Sequence, residues 1–215
     1  NATQTTFNES VEISSLATNP NSGNITFPKG GTISEETEIL SSGDVTFGTL
    51  GEDSTFIFGA EDALVDFTHT EGNTVIYGTI KAANITLADC QINKNIVTGN
   101  FVAEDCIFEG ELTAQNVTVT KLNSSTGSVN INLSGDFTNN GGTVKINKLT
   151  LLDSSTLTGD LTIGEFIATQ SLMTNPDDAK TLTITNNLIV DSMKISGQKD
   201  ENKITIANSG KIQYS

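Results

Sequence analysis

The feature that most constrains this chain is an asparagine that returns at a fixed interval of sixteen residues. The four copies are Asn84, Asn100, Asn116 and Asn132. A large apolar residue directly follows each copy, at Ile85, Phe101, Val117 and Leu133. Upstream the interval becomes twenty residues, and the matching phrases begin at Asn24, Asp44 and Leu64. A repeat of this length cannot bury its apolar side alone, so the pattern predicts a solenoid in which successive turns stack on one another.

Each repeat has the residue pattern of β-strands. Apolar residues alternate with Thr, Asp or Asn, as in Asn24-Ile25-Thr26-Phe27, and β-branched and aromatic residues suit a pleated strand. Helical repeats are disfavoured because sixteen to twenty residues are too few for two helices at about 1.5 Å of rise per residue. We therefore predict an all-β fold, a single-stranded right-handed parallel β-helix of roughly ten turns, with 16–24 residues and three short strands per turn. The right hand is expected from the chirality of parallel crossovers.

The repeat also predicts how the chain is organised. Residues 1–23 should form an N-terminal cap or an imperfect first turn. Residues 24–134 should form a regular β-helix with 20- and then 16-residue turns, and residues 135–215 a continuation with longer turns and loops. One column of side chains is expected inside the tube, namely Ile25, Val45, Val65, Ile85, Phe101, Val117 and Leu133.

The polar residues that open the repeats predict a ladder of side chains at one corner of the tube. Small residues precede most of them, and such residues suit sharp corners. Stacked side chains at a corner can hydrogen-bond one another and the neighbouring backbone. The predicted ladder consists of Asn24, Asp44, Asn84, Asn100, Asn116 and Asn132.

Two cysteines, Cys90 and Cys106, keep the same interval of sixteen residues. Residues stacked on adjacent turns lie about 4.7–4.9 Å apart, within the Cα separation of about 4.4–6.8 Å that a disulfide accepts. The pair is therefore a disulfide candidate. The alternative is a pair of reduced cysteines that pack in the core as small apolar residues, and the sequence leaves both open.

Charge and composition argue against several functions. The net charge is −15 and the 11 basic residues are all Lys, so the surface should repel nucleic acid. No apolar run approaches the roughly 18 residues of a membrane span. His69 is the only histidine, Arg and Trp are missing, and no cluster of carboxylates is repeated across adjacent turns in one column. We therefore expect no enzyme activity, no catalytic residues, no cofactor and no metal site. Since the chain opens on Asn rather than on a signal peptide, we expect a mature or excised fragment.

Short Thr-rich strands that alternate with Gly-Asp or Ala-Asn corners, as at Gly43-Asp44 and Ala83-Asn84, are similar to the parallel β-helix stalks of secreted bacterial adhesins, including autotransporter passengers. The similarity covers nearly the whole chain. It implies an extracellular or cell-surface protein that serves as a structural or adhesive stalk. The implied partner is a cell-surface protein or glycan, or a second copy of the chain.

Three alternatives remain open. More loosely, the chain resembles the β-helices of bactofilin-type polymers and phage tail fibres, which implies a filament subunit that polymerises end to end through strand edges. Pectin lyases and polygalacturonases are also β-helical, so a polysaccharide-active enzyme is a lesser alternative. A threonine-rich flat face is also typical of ice-binding surfaces, and the chain has Thr-X-Thr pairs, for example Thr118 with Thr120 and Thr156 with Thr158.

Overall fold

The computed structural model describes residues 4–124, 126–127, 129–169, 172, 180–184, 187–196, 204–208 and 212–214. Parallel strands stack into a β-solenoid of about nine turns, which confirms the predicted parallel β-helix. No α-helix interrupts the strands within these ranges. Alternating apolar and Thr, Asn or Asp residues give the strands one buried and one solvent-facing side, as in Asn24–Phe27 and Val45–Phe47.

The strands follow one another along the chain. Their bounds are β1 Gln4–Thr6, β2 Val11–Ile13, β3 Asn24–Phe27, β4 Gly31–Ile33, β5 Thr37–Glu38, β6 Val45–Phe47, β7 Thr55–Ala60, β8 Ala63–Leu64, β9 Phe67–Ile76, β10 Thr79–Ile92, β11 Ile96–Phe108, β12 Gly110–Asn123, β13 Val129–Leu133, β14 Phe137–Asn139, β15 Lys145–Leu151, β16 Ser155–Thr158, β17 Leu161–Thr169, β18 Lys180–Ile184, β19 Leu188–Ser196, β20 Ile204–Asn208 and β21 Ile212–Tyr214. Long strands such as β10 bend around corners and contribute to more than one face.

Three stacks of strands form the three faces of the tube, as predicted. Face A consists of Gln4–Thr6, Asn24–Phe27, Val45–Phe47 and residues 73–76, 89–92, 105–108, 121–123, 144–146, 161–163, 188–190 and 212–214. Face B consists of Val11–Ile13, Gly31–Ile33 and residues 56–58, 80–82, 96–98, 112–114, 131–133, 149–151, 166–168 and 193–195. Face C consists of Thr37–Glu38, residues 67–69, 85–87, 101–103 and 117–119, and the strands Phe137–Asn139, Ser155–Thr158, Lys180–Ile184 and Ile204–Asn208.

The first strands belong to the solenoid. β1 pairs in parallel with β3, and β2 pairs in parallel with β4. The ring of Phe7 stacks on Phe27 with centroids 4.7 Å apart, and Phe27 stacks on Phe47 at 5.2 Å. Residues 4–13 therefore extend both the sheet and the core at the start of the chain.

The third turn is longer than the sequence repeat predicts. A loop at residues 48–54 and the antiparallel hairpin of β7 and β8 lengthen it, so Val45 pairs with Thr74, twenty-nine residues further on. The turn between Leu161 and Leu188 also exceeds the predicted maximum of 24 residues. The predicted pairing of Val45 with Val65 is therefore wrong, because the inserted residues shift the register.

The predicted single column of apolar side chains is divided among the three faces. Ile25 and Val45 lie on face A, the column of Ile85, Phe101 and Val117 lies on face C, and Leu133 lies on face B. These six side chains are buried in one continuous core, whereas Val65 is only half-buried against it. The tube is single, as predicted, but the single column is wrong: only Ile85, Phe101 and Val117 stack as predicted, and Ile25 with Val45 forms a separate pair on another face.

Close packing at one corner requires glycine. A Cβ atom on Gly43 would lie 2.6 Å from the backbone of Gly23, and a Cβ atom on Gly72 would lie 2.5 Å from the carbonyl oxygen of Gly43. Both distances are shorter than side-chain contacts allow. Three successive turns therefore approach closely between faces C and A because Gly23, Gly43 and Gly72 carry no side chains.

Candidate functional site

A ladder of polar side chains runs along the corner that leads into face C. Asn84 Nδ2 donates to Asp66 Oδ1 at 2.7 Å, Asn100 Nδ2 donates to Asn84 Oδ1 at 2.5 Å, and Asn116 Nδ2 donates to Asn100 Oδ1 at 2.8 Å. The ladder continues through backbone donors, since Asp136 N donates to Asn116 Oδ1 at 2.9 Å and Thr156 N donates to Asp136 Oδ1 at 2.8 Å. Each side chain fixes the next, so the corner is preorganised.

The structure divides the predicted ladder differently. Asn84, Asn100 and Asn116 lie in it together, whereas Asn24 and Asp44 form a separate pair at the entry to face A, where Asp44 N donates to Asn24 Oδ1 at 3.0 Å. Asn132 lies on face B between Thr113 and Thr150. The shifted register of the third turn separates the first pair, and a long seventh turn brings Asp136 rather than Asn132 beneath Asn116.

Sequence reasoning missed Asp66 and Asp136 as the members on either side of the three asparagines. The signal was present as a shorter phrase, in which Asn or Asp is followed by an apolar residue and then usually by Thr. It occurs as Asp66-Phe67-Thr68, Asn84-Ile85-Thr86, Asn116-Val117-Thr118 and Asp136-Phe137-Thr138. This phrase follows the register of face C, whereas the twenty-residue interval predicted upstream of Asn84 does not.

The solvent-facing side of face C carries a column of threonines beside the ladder. On six successive turns the outward residue is Thr68, Thr86, Val102, Thr118, Thr138 and Thr158. The outward columns of faces A and B mix Thr with Lys, Gln, Asn, Ile and Val at the same spacing, for example Lys81, Val97 and Thr113 on face B. Face C thus presents the most uniform outward surface of the described residues.

Cys90 and Cys106 are direct neighbours in the inward column of face A. They are paired in the parallel register of β10 and β11, and their Sγ atoms lie 2.7 Å apart. Both are buried, and the structure records both as free thiols. Burial raises the pKa of the Cys106 thiol well above its usual value, and the neighbouring Cys90 and Asp105 add to the shift. The buried Cys106 thiol is therefore held in the protonated, unreactive form.

His69 lies in the core beside the corner between faces C and A. Its Nε2 atom is 3.0 Å from the carbonyl oxygen of Ser41, and its Nδ1 atom is 2.8 Å from Thr74 Oγ1. A carbonyl only accepts, so Nε2–H donates to Ser41 and the Thr74 hydroxyl donates to Nδ1. Burial lowers the pKa of His69, partly opposed by the Ser41 carbonyl and by the charges of Asp44 and Glu71. The imidazole is a structural member of the core.

A groove lies at the corner between faces C and A in the later turns. Its volume is about 510 Å³, and Gly142, Thr143, Val144, Asp160, Leu161, Thr162, Asn187 and Ile189 line it. Asp160 is the one ionisable side chain among these residues, and its Oδ1 already accepts from Asn187 N at 3.1 Å and Asn187 Nδ2 at 3.0 Å. The loop Asn139 to Gly142 beside it is held by Asn139, whose Nδ2 donates to the Gly142 and Asp160 carbonyls. Inserted loops on one face of a solenoid often carry binding sites, and the sequence has two further candidates for such loops, at residues 175–178 and 197–202, which lie outside the described residues.

Charged side chains lie on the outside of the tube. The acidic run Glu35, Glu36 and Glu38 is exposed. Lysines pair with carboxylates across turns, as in Lys94 with Asp53 at 2.8 Å, and such exposed pairs contribute little to stability. Among the described residues, no group of three His, Cys, Asp or Glu side chains is placed to hold a metal ion. No helix in the described ranges is long and apolar enough to span a membrane.

These observations define the chain as a parallel β-solenoid with an ordered Asn and Thr surface on one face. No protein-family model matches the chain, and neither curated proteins nor solved structures gave a match. Conclusions about function therefore rest on the geometry of the chain itself.

Proposed function

We propose that this chain is an extracellular β-helical stalk that attaches a cell surface to a protein or glycan through its polar faces. One observation carries the proposal. Apart from the antiparallel β7–β8 hairpin, strands pair in parallel from β1 to β21 around a single core, so the chain forms one elongated rod. Stacked turns with interlocked corner side chains resist bending, which is what a stalk requires. The outward residues of face C are mostly threonines and are held in a fixed row, which suits contact with an extended partner.

The shape of the protein in solution is the first test. Nine turns at about 4.8 Å each give a rod about 43 Å long. Small-angle X-ray scattering and electron microscopy should show monomeric rods of this length. Filaments at neutral pH would instead favour the alternative of a subunit that polymerises end to end. A compact sphere would overturn the stalk.

Adhesion is the second test. Fluorescent beads coated with the chain should bind cell layers more strongly than beads coated with albumin. A face C variant with Thr86→Lys, Thr118→Lys and Thr138→Lys can be compared with a matched face A variant with Thr26→Lys, Thr46→Lys and Thr162→Lys. Loss in only one variant identifies the binding face. Periodate or protease treatment of the cells then separates a glycan from a protein partner. Beads that bind no cell type above the albumin level would remove the adhesive role.

The proposal includes the absence of catalysis. Acidic polysaccharides incubated with the chain should release neither reducing nor unsaturated ends. Release of such ends, lost on substitution of a face residue, would instead establish the enzyme alternative.

A second candidate function, binding to ice, is favoured by the threonine column of face C. β-Branched Thr and Val have restricted side-chain rotamers, so the column holds methyl groups at the regular rung spacing of about 4.8 Å, with hydroxyl groups on every turn except that of Val102. Between Asp66 and Asp136 the ladder and the column carry no charge, although the chain has a net charge of −15. The uncharged ladder and column fit a neutral, crystalline partner better than a charged macromolecule, and the exposed Glu104 beside Val102 is the nearest charge on β11.

Ice binding has a direct test with a matched control. The chain should slow the growth of ice grains in a recrystallisation assay relative to albumin. Thr118→Tyr on face C should weaken this effect, whereas Thr113→Tyr on face B should leave it unchanged. Grain growth equal to that in albumin would exclude this second function.

A further inference from the structure

In the inward column of face A, the aliphatic residues are interrupted by Thr74, Cys90 and Cys106 on three successive turns. Along this column the residues are Ile25, Val45, Thr74, Cys90, Cys106, Leu122 and Val144. Thr74 has a polar partner in His69, whereas Cys90 and Cys106 contact each other from adjacent turns. The register places the two Cα atoms directly opposite each other, at the rung spacing of about 4.7–4.9 Å that lies inside the disulfide range.

We propose that Cys90 and Cys106 form a structural disulfide that is made while the chain folds in an oxidising compartment and is then sealed by burial. In the step, each thiol gives up one proton and one electron and a sulfur–sulfur bond forms. A small-molecule disulfide, such as oxidised glutathione, takes up the two electrons and two protons and is reduced to two thiols by exchange. No backbone movement is needed, because the two strands are already in register.

Burial decides when this reaction can occur. Cys106 is 0 % exposed and Cys90 is 4 % exposed, so neither oxidant nor reductant reaches them in the folded tube. Their redox state is therefore set before the sixth turn closes and is kept afterwards. The pair preserves the redox state of the compartment in which the chain folded, since such bonds persist in oxidising environments and are rare in reducing ones. This inference does not depend on the stalk function.

The bond also has a mechanical consequence. It would join two successive turns in the most regular part of the solenoid and close a ring between residues sixteen apart in sequence. A pull along the chain could not then extend the residues between the cysteines. The bond should also favour the folded state by restricting the unfolded chain, on the order of a hundredfold in the folding equilibrium constant.

The test uses the whole chain, refolded from denaturant with either oxidised or reduced glutathione. Protein from the oxidising mixture should be a monomer with no alkylatable thiol after denaturation, and its mass should be lower by two hydrogen atoms. Protein folded reduced and then exposed to oxidised glutathione should react at least about tenfold more slowly than the same protein in denaturant, as expected of buried cysteines. The oxidised form should also unfold at a higher denaturant concentration, and a Cys90→Ala, Cys106→Ala variant should show no redox dependence.

Two outcomes would overturn the proposal. One is that the chain refolded in the oxidising mixture still has two alkylatable thiols. The other is that its disulfides join different molecules. Both are measured on the unmodified chain, so the test remains decisive even if the double variant fails to fold. Equal reaction rates for the folded and unfolded reduced protein would contradict sealing by burial while leaving the bond itself intact.

Discussion

His69 holds a titratable ring inside the core in its neutral form. Neutral imidazole satisfies both neighbours, with Nε2–H on the Ser41 carbonyl and the Thr74 hydroxyl on Nδ1. A second ring proton would place a charge among buried groups, and the nearby charges of Asp44 and Glu71 compensate only in part, because the pKa of His69 is still lowered. This single residue therefore couples stability to pH.

The sign of that coupling follows from the lowered pKa. An unfolded histidine takes up its proton near pH 6.5, whereas the folded ring does so only at lower pH. Between these pKa values the unfolded state binds more protons, so the free energy of unfolding should fall as pH falls, by at most about 1.4 kcal/mol per pH unit from this group. Above about pH 7 the contribution of neutral His69 is complete.

A His69→Gln variant isolates this effect from the many carboxylates. Glutamine keeps an N–H donor for Ser41 but does not titrate. Denaturant unfolding of the two proteins from about pH 7.5 to about pH 5 should show the wild-type advantage shrinking as pH falls. An advantage that stays constant over this range would show that His69 does not titrate with folding.

At the scale of elements, the side-chain ladder joins β10, β11 and β12 at their shared corner. Asn100 lies in its middle, where it donates to Asn84 and accepts from Asn116. Asn100→Ala removes both bonds and leaves two half-buried amides without these partners, so it should lower the free energy of unfolding by about 1–3 kcal/mol. Asn147→Ala is the matched control, since it removes one exposed bond to Asn130 and should cost less than about 0.5 kcal/mol. Chemical denaturation measures both, and equal losses would mean that the ladder adds nothing specific.

The register of these elements shows how far sequence reasoning reaches. Equal spacing from Asn84 to Asn116 gives the pairing of β10, β11 and β12 directly, because no residues are inserted between those turns. The spacing fails at Leu64 because loops at corners lengthen a turn at little entropic cost, so a twenty-residue match there has no structural meaning. Hydrogen bonding between turns sets the register, and the threonine column of face C became visible only once those pairings were known.

At the scale of the whole molecule, one charge sign dominates a long thin surface. The net charge is −15, and among the described residues no Asp, Glu or Lys side chain is buried, so folding brings like charges together on the surface of the tube. Carboxylates also stack on neighbouring turns, as Asp89 does on Asp105. Exposed Lys–carboxylate pairs such as Lys81 with Glu61 offset this only weakly. Self-repulsion should therefore cost the folded state more than the expanded unfolded chain.

Salt should then stabilise the solenoid. Raising NaCl from about 0.01 M to about 0.15 M shortens the screening length from about 30 Å to about 8 Å, which removes repulsion between distant turns. The thermal midpoint should rise, and each 1 kcal/mol gained corresponds to about 2–4 °C for a chain of this size. A variant with Glu35→Gln, Glu36→Gln and Glu38→Gln lowers the net negative charge at exposed positions, so its midpoint should be higher at low salt and should rise less with NaCl. A midpoint that falls with salt would mean that cross-turn ion pairs outweigh the net charge.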